Sequence, residues 1–155
     1  MWLAERRFRL VQGPGLVDCV SMDPMDRTVY INSRQCYESR LAATLHECGH
    51  VNIFLQRLRN PGRRYAGTTL CETELGEGRG SRRRRSSRVG VLEEEAAAWQ
   101  YGEVLAEKLS VRYKKGFFDA TRTRCLMTYV KWAAASMRKK VSKSVSKKPR
   151  RRVRH

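Results

Sequence analysis

Between residues 38 and 58 apolar side chains return every third or fourth position, at Leu41, Leu45, Cys48, Val51, Leu55 and Leu58, which is the spacing of a helix with one buried stripe. The stretch contains no proline and only one glycine, Gly49; Asn60, Pro61 and Gly62 end it, and Ser39 offers a cap at its start. The same helical period returns over 92–115 and 120–140, with Gly116 as the break between them. In the last segment Leu126, Met127, Val130, Ala133, Ala134 and Met137 form an apolar face expected to pack on the domain. Ahead of the first helix the period changes. Residues 16–21 and 28–32 alternate as strands on either side of the turn-forming Asp23, Pro24, Met25 and Asp26, so 16–32 reads as a β-hairpin. A short N-terminal segment ends near Val11, before a turn at Gly13-Pro14-Gly15, and 65–75 reads as irregular or a short strand. No internal repeat is present. The sum is an α+β domain: a small antiparallel sheet packed on two helices, with a further C-terminal helix.

Composition narrows the class. With 155 residues, 41% of them hydrophobic, the chain is long enough for one core, expected over 1–137. It has no apolar run able to span a bilayer, which argues against a membrane partner. The start runs from Met1-Trp2-Leu3-Ala4 straight into Glu5-Arg6-Arg7-Phe8-Arg9, without the apolar stretch of a signal peptide. Five cysteines with no CxxC pair do not make a secreted disulfide framework, so a reducing cytoplasm is expected.

The net charge of +18 suggests nucleic acid until its distribution is considered. Ten Lys or Arg lie in 138–155 and six Arg in 79–88, with no acid in either; without them, 17 basic residues oppose 15 acidic ones. The charge therefore belongs to two appendages, expected as a mobile loop over 76–88 and a disordered tail over 138–155. Arg82, Arg83, Arg84 and Arg85 in the loop, and Lys147, Lys148, Arg150, Arg151 and Arg152 in the tail, are the candidates for non-specific nucleic-acid binding by counterion release. A solubilising or localising role is the plainer alternative. If the loop borders a cleft, its arginines would favour an acidic or DNA-bound substrate.

The chemistry sits on the first helix. In Leu45-His46-Glu47-Cys48-Gly49-His50 the two imidazoles are four apart, so they lie one turn apart on one face and can address one cation. Glu47, rotated by about 100° from His46, is placed to act as general base rather than ligand. The third histidine, His155, closes the tail, so the remaining ligand falls to an acid or a cysteine. Cys48, two residues after His46, points away from the pair. Downstream, Glu93-Glu94-Glu95 opens a helix. Acids in a first turn commonly only complement the helix dipole, but Ala96, Ala97 and Ala98 follow, and small side chains there let the second helix approach closely enough for a glutamate to reach zinc. Two histidines and a distant glutamate with one open position make a catalytic zinc set.

The two motifs together resemble metallopeptidases of the ImmA/IrrE type, whose active-site helix reads much like His-Glu-Leu-Gly-His and whose next helix carries Glu-x-Glu-Ala-x-x-Phe-Ala. Here the first is His46 to His50 with Cys48 in the leucine slot; the second is Glu93, Glu95, Ala96 and Trp99, with Gln100 in place of alanine. The resemblance covers roughly 13–106 and departs in the long, basic interval between His50 and Glu93. It implies a gluzincin-like site in which Zn2+ is held by His46, His50 and Glu93, with Glu94 in register with Ala97 as the alternative third ligand. It also implies a strand before the active-site helix, matched by 27–32, as the edge to which an extended peptide would add.

The function expected on this basis is hydrolysis of a peptide bond in a protein substrate, such as a repressor encoded by mobile DNA. Glu47 would take the proton from the attacking water and give it to the leaving amine. Tyr65 and Tyr101 are tyrosines that would stabilise the oxyanion if they reached it, and neither is assigned. Peptide deformylases share the histidine motif, but their cysteine motif is absent. Two other classes stand beside this reading: a basic nucleic-acid-binding or virion protein with a structural metal site, and a regulator that binds a protein through its C-terminal helix. Both leave the general base next to His46 without a purpose.

Overall fold

The computed structural model describes residues 2–23, 25–60 and 85–145, the side chains of 85–87 and 135–145 excepted. The order of elements is a 3-10 turn (Ala4–Arg6), β1 (Arg9–Gly13), β2 (Cys19–Ser21), β3 (Thr28–Asn32), α1 (Tyr37–Arg59), α2 (Arg85–Lys108) and α3 (Lys115–Val145). This is the expected α+β arrangement, a small sheet with three helices.

The hairpin forms, but its first strand is confined to Cys19–Ser21 rather than 16–21. Cys19 pairs with Tyr30 and Ser21 with Thr28 in antiparallel register, and Asp23 turns the chain by accepting the amide of Met25 at 2.8 Å. The sheet is nevertheless mixed, because β1 adds to the other side of β3 in parallel, from Arg9 opposite Thr28 to Gly13 opposite Asn32. The order β1-β3-β2 puts β3 in the centre. The strand expected as a peptide-binding edge is therefore paired on both sides, and the edges of the sheet are β1 and β2.

α1 is the axis of the molecule. Val29 and Ile31 of β3, with Phe8, close on Val51 of α1, while Ala42 and Leu45 on another side of α1 meet Trp99 and Ala106 of α2 and Phe118 of α3. A helix covered on two sides needs more than one apolar stripe, which is why Ala42 and Ile53, outside the expected set, are buried and Leu58, inside it, is 56% exposed. Its start also differs. Cys36 is the N-cap, with its thiol 3.3 Å from the Ser39 hydroxyl, so Ser39 lies within the helix.

α2 begins at Arg85, which makes 85–88 helical rather than loop, and it ends at Lys108. The break before α3 is set by Ser110, whose positive φ of 53° turns the chain, so Gly116 lies within the first turn of α3. α3 runs to Val145, past the expected end of the helix and into what the sequence presents as tail. Its packed face is Phe118, Cys125 and Leu126; Met127 and Val130, expected there, are 45% and 39% exposed. Among the described residues no helix is long and apolar enough to cross a membrane.

Candidate metal centre

The site depends on how closely α1 and α2 approach. A Cβ added to Gly49 would lie 1.9 Å from the carbonyl oxygen of Ala98, and one added to Gly102 would lie 2.4 Å from that of Leu45. Each helix thus offers a glycine to the other's backbone, and the axes come nearer than side chains would allow. Ala98 is wholly buried at this crossing, whereas Ala96 is exposed.

That contact selects which acid enters. Glu95 precedes Ala98, Trp99 and Gly102 by three, four and seven residues, so it shares their buried face. It is 1% exposed, and its carboxylate lies 3.2 Å from Nε2 of His46 and 3.7 Å from Nε2 of His50. Glu93, the expected third ligand, belongs to the face of Ala96 and Gln100, which is exposed, and takes no part. Glu94, the alternative, is buried behind the pair. Its Oε1 lies 3.6 Å from Nδ1 of His50, and Arg57 donates a 2.9 Å hydrogen bond to its Oε2. The acid grouped with the two histidines is thus Glu95 rather than Glu93.

The donor set fits a small divalent cation. Ligand atoms of His46, His50 and Glu95 all lie within 4.8 Å of one another. The Glu95 carboxylate bridges the two imidazoles, with Oε2 3.2 Å from Nε2 of His46 and Oε1 3.7 Å from Nε2 of His50, which is the neighbourhood that zinc bonds of about 2.0–2.1 Å to each donor would draw together. The approach of Glu95 Oε2 to His46 is poorly aligned as a hydrogen bond, and this buried oxygen has no other hydrogen-bond partner. An unsatisfied carboxylate oxygen among imidazole nitrogens is costly unless a cation completes it. The second layer fits as well, since a metal-ligating histidine ordinarily directs its other nitrogen to a carboxylate or carbonyl, and His50 faces Glu94 in that way.

Electrostatics agree. Burial alone would depress His50, but Glu94 and Glu95 outweigh it and hold the imidazole at about 10. Burial lowers His46 against the pull of Glu95. Glu95, despite a burial that would raise it, is drawn down to about 2 by the two histidines. Without a cation, a proton on His50 thus balances the acids. Trp99 stacks on His46, with ring centroids 4.3 Å apart and planes at 20°, which fixes the imidazole plane.

His46, Glu47, His50, Glu94 and Glu95 open on one cleft of about 370 Å³, whose wall includes residues 17–23 of the β2 segment. Asp18 secures that wall by accepting the amide of Asn32 at 2.7 Å and the Gln35 side chain at 2.5 Å. Glu47 is 6% exposed within the cleft. Cys48 faces the core, where burial pushes its thiol up to about 12, and it is not among the clustered ligands. Tyr101 donates to Gln56 at 3.3 Å and does not line the cleft.

Sequence reasoning missed Tyr129, which reaches the cleft from α3. Burial first, then the neighbouring Glu95, raises its phenol. No local motif marks it. Tyr65, Arg82, Arg83, Arg84, Lys147, Lys148, Arg150, Arg151 and Arg152 lie outside the described residues, and Arg85 is described by its backbone alone. No family model, curated protein or solved structure matches the chain.

Proposed function

We propose that the chain is a zinc-dependent peptidase in which His46, His50 and Glu95 hold the metal and Glu47 is the general base. The observation that carries this reading is the convergence of two imidazoles and a buried carboxylate from separate helices, with a second carboxylate, Glu47, beside them in an open cleft. A purely structural site has no use for that second acid or for the cleft. When bound, the cation supplies Lewis acidity, making water acidic enough to lose a proton near neutral pH and polarising the carbonyl under attack.

Glu47 takes the proton of the attacking water and delivers it to the departing amine. Glu94, held by Arg57, orients His50. The outer edge of β2, which pairs with no other strand among the described residues, is where an extended peptide would add by backbone hydrogen bonds. The resemblance to ImmA/IrrE-type peptidases supports the same chemistry once the third ligand is moved to Glu95, and it favours a regulatory protein as substrate.

The test pairs metal content with cleavage of a proteome-derived peptide library read by mass spectrometry. We expect one zinc per chain in the wild type, loss of zinc in Glu95→Ala, and full zinc in Glu93→Ala. Glu47→Gln should keep its zinc and lose cleavage by about a hundredfold or more. Full occupancy in Glu95→Ala, or a zinc-loaded wild type that cleaves no peptide, would overturn the reading.

A further inference from the structure

A carbonyl carbon attacked by water passes charge to its oxygen, and a hydrogen-bond donor fixed beside that oxygen lowers the barrier. Several side chains lining the cleft carry donors, and most are already committed. Arg57 is engaged by Glu94. The Ser21 hydroxyl bonds to the carboxylate of Asp26. Cys19 offers only a weakly donating thiol, and His46 and His50 belong to the metal set. Tyr129 differs from these in its partner: a half-buried phenol, the sole lining side chain from α3 among the described residues, it hydrogen-bonds to Glu95, the carboxylate that a cation would engage.

Packing and ion pairs hold it in place. Cys125, one turn earlier, and Leu126 pack against the core shared with Trp99 and Phe118. Glu103 of α2 binds α3 near its start, accepting from Arg122 at 3.1 Å and from Lys115. α3 therefore cannot slide along α2 without breaking a charged clasp and uncovering apolar surface.

We propose that Tyr129 is a catalytic residue of this site, donating its hydroxyl hydrogen bond to the carbonyl oxygen of the scissile peptide as that oxygen gains charge. This rests on the peptidase reading above. In the first half of the reaction the water oxygen bonds to the carbonyl carbon, the water proton passes to Glu47, and the carbonyl π pair moves onto oxygen, which accepts from Tyr129. In the second half that pair returns, the C–N bond breaks, and Glu47 gives its proton to the amine. Tyr129 keeps its own proton throughout, so no further acid or base is needed.

The experiment uses the full-length zinc-loaded protein, the best-cleaved peptide of the library, and a phosphinic analogue of that peptide as a tetrahedral mimic. Tyr129→Phe should retain one zinc per chain and bind uncleaved peptide as before. Its kcat should fall about a hundredfold with KM within about twofold, and its affinity for the phosphinic analogue should fall in parallel. Tyr101→Phe, which removes a hydroxyl outside the cleft, should leave all of these unchanged. An unaltered kcat in Tyr129→Phe would overturn the role, reducing the residue to cleft wall. Loss of zinc together with activity would overturn it too, making Tyr129 a brace for Glu95. A zinc-loaded wild type without activity would remove the peptidase reading itself, and Tyr129's role with it.

Discussion

Glu94 and Glu95 favour a proton on His50 against the effect of burial, and this makes the metal-free cluster sensitive to pH in a definite direction. The folded imidazole is held near 10 by Glu94 and Glu95 against the effect of burial, above its ordinary 6.5, so the stability it confers is complete below about 6.5 and is lost as pH rises toward 10. Glu95, drawn down to about 2, contributes fully above about 4.5 and loses its contribution as pH falls through 2. The metal-free protein should be most stable between those limits. Zinc must expel the His50 proton, so its apparent affinity should rise about tenfold per pH unit between pH 6 and 8. Calorimetry in buffers of differing ionisation enthalpy should find about one proton released per zinc at pH 7; no release would mean that His50 is already neutral. His46, Glu47 and His50 were legible in the sequence because a spacing of four on a helix fixes a shared face. Glu95 was not, because three consecutive acids point in three directions and only the buried face of α2 chooses among them. Tyr129 was less legible still, since it lies far along the chain from every motif and reaches the cleft only through the packing of α3.

At the scale of elements, the centre exists because α1 and α2 touch backbone to backbone. In an exposed helix, replacing glycine by alanine typically stabilises by about 1 kcal/mol. At Gly49 the sign should reverse, because the added carbon would fall 1.9 Å from the Ala98 carbonyl oxygen, and backbone cannot rotate aside as a side chain can. Gly49→Ala should cost about 1–3 kcal/mol, lowering Tm by several degrees. By forcing the helices apart it should also weaken zinc binding, while an unchanged or higher Tm with full zinc would show that the helices are not in contact there. The helices themselves were readable from their period, and the hairpin from its turn residues. The parallel addition of β1 was not, since strand order depends on contacts distant in sequence. Nor was the burial of α1 on two sides, where apolar residues spread around the helix and blur a single stripe. The alanines after the acids did foretell a close approach, but of the three only Ala98 lies wholly buried at it; the glycine on each helix supplies the rest.

For the whole molecule, charge and fold are nearly separable. Setting aside the basic stretches at 79–88 and 138–155, the chain has 17 basic residues and 15 acidic ones, so long-range attraction to polyanions has to come from those two stretches. α3 runs to Val145, well past Tyr129 and past the residues that pack on the core, which makes Val145 the natural place to cut. A chain ending there loses Lys147, Lys148, Arg150, Arg151, Arg152 and Arg154 but keeps every residue of the proposed centre. Its zinc content and peptide cleavage should match the full chain, because no charge from the removed segment belongs to the catalytic set. Its affinity for duplex DNA should fall, and the slope of log K against log salt should become shallower by as much as about 5 if each lost cation had neutralised one phosphate. An unchanged slope would assign the polyanion affinity to the basic residues that the cut retains, the arginines of 79–88 together with Arg138, Lys139, Lys140 and Lys143. Of the arginines of 79–88, Arg85 and Arg88 lie in the first turns of the helix that carries Glu95 and the others precede it in sequence, so a polyanion bound there would be tied closely in sequence to the proposed ligand.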